Sequence, residues 1–255
     1  AGRAPTCTCR FKTWSKTALW GIFLRYIMDL SRVEIVIGKN SLEKLRAASV
    51  AVVGLGGVGS YVAEAMTRSG VGKLLLVDFD SIASSNVNRQ IPALDSTIGL
   101  SKTEVLKKRL LEINRDVRIE IYNSRYNPGD FKKVFTEQYS YIVDAIDAVD
   151  AKADLIFQAV NNKIPIISAM GTGNKLDPAL LRVADISATH TCPLARAVRS
   201  KLRQKGLVRG VKVVFSLEKP QKAQLSDVPG SLIFVPASAG LLMGSVIVRE
   251  IIDND

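Results

Sequence analysis

The chain has 255 residues, enough for one domain with a full core, and 47% apolar with 23% charged residues argues against disorder, a repeat array or a fibre. Thirty-five Lys and Arg against 24 Asp and Glu leave a net charge of +11. Five of those charges (Arg3, Arg10, Lys12, Lys16 and Arg25) fall in residues 1–27, which hold no acid, so the rest carries +6, a moderate excess that suits an anionic partner such as RNA without requiring one.

Residues 1–27 show no helical or strand period and read as a leader outside the fold, non-native or disordered. Ala18–Leu24 resembles the apolar core of a signal peptide, but Arg25 interrupts it and no small-residue cleavage site follows. Cys7 and Cys9 lie in this leader, so the body retains only Cys192. One cysteine allows neither a disulfide framework nor a four-cysteine zinc site within the chain, and points to a reducing cytoplasm.

From residue 28 the pattern becomes regular. Ser41–Arg46 predicts a short helix capped by Ser41, and the apolar run Ser49–Val53 a strand covered on both faces. A helix follows over Gly59–Ser69, a strand over Lys73–Val77, and a helix over Ser101–Ile113, with Ser101 and Glu104 spaced as a capping box. Arg118–Tyr122 and Tyr141–Ala145 read as strands, Ala151–Val160 as a helix and Ile164–Ser168 as a fifth strand. This alternation predicts an α/β fold: a Rossmann-like, doubly wound, mostly parallel sheet. Residues 28–175 would form the nucleotide-binding core.

Residues 176–255 read as a less regular extension of the same domain. It holds a strand near Leu180–Val183, a basic helix near Leu194–Gln204, a strand at Val211–Ser216 and a closing helix from Ala239 to Ile252. Ser231–Val248 carries no charge, but Pro236, glycines and serines dilute it below a spanning segment, so a buried strand end and a buried terminal helix are expected, with no membrane.

Four segments carry chemistry. Gly54, Gly56, Gly57 and Gly59 sit between the first strand and the next helix, where a side-chain-free backbone and a helix N-terminus accept phosphate. Asp78 and Asp80 end the second strand, where an acid accepts hydrogen bonds from ribose. Ser85-Asn86-Val87-Asn88-Arg89-Gln90 and then Lys102 add cations beyond the need of a nicotinamide dinucleotide; they suit a triphosphate, or else are surface ion-pair partners. Asp144 and Asp147 end the fourth strand, where a carboxylate either holds magnesium between phosphates or, at Asp147, caps the next helix.

In order and spacing these motifs resemble the ubiquitin-activating and sulfur-carrier-activating superfamily over about Arg32 to Ser168. The resemblance implies that Asp80 binds ribose, that Asn86, Asn88, Arg89 and Lys102 serve ATP, and that Asp147 coordinates magnesium. Arg32, six residues ahead of Gly38, resembles an arginine that reaches into the partner subunit's ATP site, which implies a homodimer. Arg89, Lys102 and Asp147 would be catalytic, in a reaction that joins a carboxylate to the α-phosphate of ATP and releases pyrophosphate.

Tyr139–Asp147, Lys163-Ile164-Pro165, Asp177-Pro178, Cys192–Ala195 and Val214-Phe215-Ser216 are similar to the branch of that superfamily that dehydrates N6-threonylcarbamoyladenosine in tRNA. The implied partners are that tRNA and, from the neighbouring sulfur branch, a sulfur-transfer protein. The alternative substrate is a small carrier protein ending in Gly-Gly. Some relatives place a cysteine before the Phe-Ser pair; this chain has Val211-Lys212-Val213-Val214 there, and direct cyclisation needs none. Cys192 is either a nucleophile activated by a helix start or a small filler. Arg196 to Lys212 holds seven cations and no acid; Arg196, Arg199, Lys201, Arg203 and Lys205 are the expected tRNA contacts.

Overall fold

The computed structural model describes residues 28–221 and 229–253; the leader expected over residues 1–27 lies outside them. In chain order the strands are β1 (Ser49–Val53), β2 (Lys73–Val77), β3 (Arg118–Tyr122), β4 (Tyr141–Asp144), β5 (Ile166–Ala169), β6 (Leu181–Asp185) and β7 (Lys212–Ser216). The helices are α1 (Ser31–Ile37), α2 (Lys39–Ala47), α3 (Gly59–Arg68), α4 (Lys102–Ile113), α5 (Phe131–Val134), α6 (Val149–Asn161), α7 (Pro193–Gln204) and α8 (Phe234–Asp253).

One sheet joins all seven strands in the order β3-β2-β1-β4-β5-β7-β6. Every pairing is parallel except that of β6 with β7 at the edge. The valines and leucines of β1 and β2 are buried on both faces, which explains their continuous apolar runs. One core packs Leu155 and Ile156 of α6 and Val198 and Leu202 of α7 against the sheet. The other packs Val62 and Met66 of α3, Leu106 and Leu110 of α4, and Met243 and Ile247 of α8.

The chain leaves β1 toward β2 and β3, then returns to place β4 on the other side of β1. The winding therefore reverses between β1 and β4, and their carboxyl ends open a crevice there.

Helix α8 is long and apolar enough, by length and composition, to cross a membrane. Its Val235, Ala239, Met243, Val246 and Ile247 are buried in the core, which accounts for the charge-free stretch. Gly240 and Gly244 admit α3 closely: a Cβ on Gly240 would meet the Val58 carbonyl at 2.5 Å. The expected strand end before α8 is absent; the helix instead begins at Phe234, five residues earlier than Ala239.

Three local expectations also change. The second helix begins at Lys39 with Gly38 as its N-cap, so Ser41 lies inside α2, and α1 precedes it unforeseen. Ser101 is the N-cap of α4 but its side chain makes no capping bond. Its hydroxyl pairs with that of Thr103 at 2.8 Å instead, so no capping box forms with Glu104.

Candidate active site at the carboxyl edge of the sheet

A cavity of about 880 Å³ occupies the crevice between β1 and β4. Gly54, Gly56 and Gly57, Asp78 and Asp80, Asn86, Arg89 and Gln90, Lys102, and Asp147 line it together, so five separate segments converge.

The glycines have steric reasons to be glycine. Gly54 has φ +90°, and a Cβ there would lie 2.6 Å from the Ala145 carbonyl oxygen. Gly59, the first residue of α3, would place a Cβ 1.8 Å from the Gly54 oxygen. The loop is thus folded tightly against the β4 end, with the amino terminus of α3 behind it, an arrangement that receives anionic oxygen.

The paired acids after β2 divide their work. Asp78 is buried and accepts from the Leu55 amide at 2.6 Å and from the Asp80 amide at 2.8 Å, so it splices the glycine loop to the end of β2. Asp80 is left to face the cavity, where Lys102 Nζ donates to its Oδ2 at 2.7 Å. Lys102 is 5% exposed, so its ion pair with Asp80 is made at the cavity wall and not on the open surface.

Arg89 lines the cavity and is anchored from behind: its Nη1 donates to the Ser85 carbonyl at 2.7 Å and to Asn88 Oδ1 at 2.9 Å. Asn88, expected at the nucleotide, is not among the residues lining the cavity. Its Nδ2 donates to the Ser231 carbonyl at 2.8 Å, because the turn over residues 84–86 directs it away. Asn86 lines the cavity, and its Oδ1 accepts from the Ala83 amide at 3.1 Å.

The acids after β4 also separate. Asp144 is fully buried, with Lys152 Nζ at 2.7 Å, the Ser168 hydroxyl at 2.5 Å and the Ile146 amide at 3.1 Å, so it is unavailable to a ligand. Asp147 is exposed and lines the cavity. Ala148, not Asp147, is the N-cap of α6, which removes the capping alternative.

Spacing within the motifs did not reveal the part of five further residues at or behind the cavity. Lys152 is a fully buried cation whose signal was only its position eight residues after Asp144. Gln90 is buried at the cavity, and its Oε1 is the one buried side-chain polar atom without a partner among the described residues. Phe79 and Arg125 stack at the far end of the cavity, guanidinium to ring centroid 3.9 Å. Tyr126 beside them is held protonated well above its ordinary range, first by burial and then by donating to Asp154 at 2.8 Å.

Outside the cavity, Arg32 is exposed on α1. Cys192 is buried, and a Cβ on Gly171 would meet its sulfur at 3.3 Å, the environment of a small packing residue. Arg196, Arg199 and Arg203 line a separate groove on α7. Lys201 instead pairs with Asp150 at 2.8 Å, and Lys205 lies 4.9 Å over the Phe157 ring, so the five expected cations do not act as one face.

A glycine loop at a switch point, an acid after β2 and two cations beside the loop define a nucleotide-binding α/β enzyme of the phosphate-handling kind. The ThiF family model matches residues 30–254, and the chain belongs to the ThiF family. It is 41% identical to the tRNA threonylcarbamoyladenosine dehydratase of Bacillus subtilis, over 89% of this chain and 95% of that protein. The solved Escherichia coli tRNA N6-threonylcarbamoyladenosine dehydratase in complex with AMP superposes with a TM-score of 0.82 at 35% identity, covering 87% of this chain and 92% of that one. The same E. coli enzyme has been solved in complex with ATP, with a TM-score of 0.81 at 34% identity, covering 87% and 93%.

Proposed function

We propose that this chain uses ATP to adenylate the threonine carboxylate of N6-threonylcarbamoyladenosine in tRNA, and then lets the side chain cyclise. The observation that carries the reading is one cavity that gathers the glycine loop, Asp80, Arg89, Lys102 and Asp147, in a chain similar to the dehydratases along most of its length.

A carboxylate oxygen attacks the α-phosphorus, the bond to the β-phosphate oxygen breaks and pyrophosphate leaves. An internal carbamoyl group then attacks the activated acyl carbon and AMP departs, so the nucleoside has lost one water. The nucleophile is already ionised, so no general base is required. The loop amides, Arg89 and Lys102 stabilise charge that builds on the phosphates, and Asp80 orients the ribose.

The described residues hold no group of three or more His, Cys, Asp or Glu that could form a metal site. The free carboxylate of Asp147 nonetheless fits magnesium, which is commonly held by one or two carboxylates together with substrate phosphates. Bound there, it would supply charge neutralisation for the leaving pyrophosphate. We assign Arg32 to the ATP site of a second copy in a homodimer. In support, Arg32 is exposed outside its own cavity, and the neighbouring Ile35 and Val36 are 78% and 81% exposed. The substrate and the free, buried thiol of Cys192, the one cysteine among the described residues, suit a cytoplasmic setting.

The test measures pyrophosphate release from magnesium-ATP with tRNA bearing or lacking the modification, and water loss by mass spectrometry. Release and loss of one water only with modified tRNA support the reading. Turnover indifferent to tRNA, and stimulated instead by a carrier protein ending in Gly-Gly, overturns it.

A further inference from the structure

We infer that Arg196, Arg199 and Arg203 form a dedicated RNA phosphodiester groove on α7, and that Lys201, Lys205 and Lys212 are engaged by the fold instead. The inference rests on the tRNA reading above and specifies which surface receives the nucleic acid.

The groove has a volume of about 530 Å³ and is lined, among the described residues, by Arg196, Arg199, Ser200, Arg203 and Gln204, none of them acidic or apolar. These positions repeat at three, four, seven and eight residues, so they share one helix face. The opposite face, with Ala195, Val198 and Leu202, is buried in the core and fixes how the arginine face is turned.

Among the described residues neither Arg196 nor Arg203 has an acidic partner, and both are exposed. Arg199 is pre-positioned: its Nη1 donates to the buried Thr189 carbonyl at 2.8 Å and to the Thr189 hydroxyl. Arg196 and Arg203 lie about 10 Å apart along the axis at 1.5 Å per residue, a span of about three phosphates of one strand.

The lining chemistry selects the ligand. Three guanidinium forks with a hydroxyl and an amide bind phosphate oxygens, and none of the described lining residues is an aromatic or apolar side chain on which a base would stack. The groove therefore recognises the backbone and not the sequence. Lys201, on the same helix, reaches Asp150 at the wall of the catalytic cavity. This pair places α7 within a side chain's reach of the cleft, close enough for RNA whose modified nucleoside sits in the cleft to extend its backbone onto α7.

The experiment measures binding of the full chain to unmodified tRNA by fluorescence anisotropy across a salt series. The double variant Arg196→Gln/Arg203→Gln is compared with Lys201→Gln. For the double variant, affinity falls about tenfold at moderate salt, and the slope of log affinity against log salt shrinks by roughly 0.7 to 0.9 per arginine removed. Lys201→Gln, which removes one charge already used in an ion pair, stays within about twofold, less than the effect on log affinity expected per free arginine removed. Both altered arginines are exposed, and a thermal melt confirms that the double variant is folded.

Wild-type affinity and slope in the folded double variant overturn the inference, as does Lys201→Gln weakening binding as much. So does competition by polyglutamate at the same charge concentration that equals competition by tRNA, which assigns the groove to an acidic protein. Failure of the proposed function is read separately: arginine-dependent tRNA binding without pyrophosphate release leaves the groove and removes the dehydration. Dehydration with unaltered binding does the reverse.

Discussion

Replacing Lys152 with Met tests how the end of β4 is built. Lys152 is fully buried, and its Nζ donates to Asp144 Oδ2 at 2.7 Å, the Ala169 carbonyl at 2.9 Å and the Ser168 hydroxyl at 3.2 Å. The methionine stem fills nearly the same volume, so little cavity energy enters. What remains is the Asp144 carboxylate, equally buried, with the Ser168 hydroxyl and the Ile146 amide as its donors. Removing one partner of such a pair costs about 3–5 kcal/mol. At about 2–4 °C per kcal/mol for a chain of this size, the melting temperature should fall by roughly 6–20 °C. Adding Asp144→Leu removes the stranded charge and should restore most of the loss. Calorimetry or circular dichroism reads both variants. A single variant melting within about 2 °C of wild type, or a double variant no better than the single, refutes the account of Asp144 as a neutralised structural acid.

Other expectations follow from particular contacts. Gly54→Ala requires φ +90° and places a Cβ 2.6 Å from the Ala145 oxygen, so it should cost at least about 2 kcal/mol and weaken ATP binding; a variant with wild-type melting and ATP affinity contradicts the steric argument. Arg89→Ala should lower pyrophosphate release at least about 100-fold, whereas Asn88→Ala, which removes only one of the two anchors of Arg89, should lower it far less; equal losses would give Asn88 a part at the phosphates or a decisive hold on Arg89. Burial pushes the Glu64 carboxyl upward, but hydrogen bonds from Arg109 and Arg68 outweigh it and hold it below its ordinary value of 4.5. Its contribution is therefore present above pH 4.5 and lost as pH falls through the lower folded value. Glu64→Gln should be less stable than wild type at neutral pH, with the difference closing in acid; a gap independent of pH from 7 to about 3 removes the ion pairs as its cause.

The alternation of apolar runs with amphipathic segments determined the sheet and most helices, because burial on both faces leaves a continuous apolar strand that sequence displays directly. Gly54 and Gly59 were legible because a tight turn at a strand end admits few residue types, and Asp80, Arg89, Lys102 and Asp147 because charges clustered just after strand ends gather at one edge of such a sheet. Four features depended on groups distant in sequence. The two acids after β2 look alike until Leu55 returns to claim Asp78 and leaves Asp80 facing the cavity. Asp144 and Asp147 diverge only when Lys152 and Ser168 close on the first. Asn88 stays off the cavity wall, with its amide held on the carbonyl of Ser231, 143 residues away. The basic run of α7 divides by helix face, with Lys201 drawn to Asp150 and Lys205 to Phe157, while Arg196 and Arg203 have no acidic partner among the described residues. Local pattern specifies which residue types can stand at a strand end or on a helix, whereas the task of each charge depends on the neighbour that neutralises it, and only the folded chain supplies that neighbour.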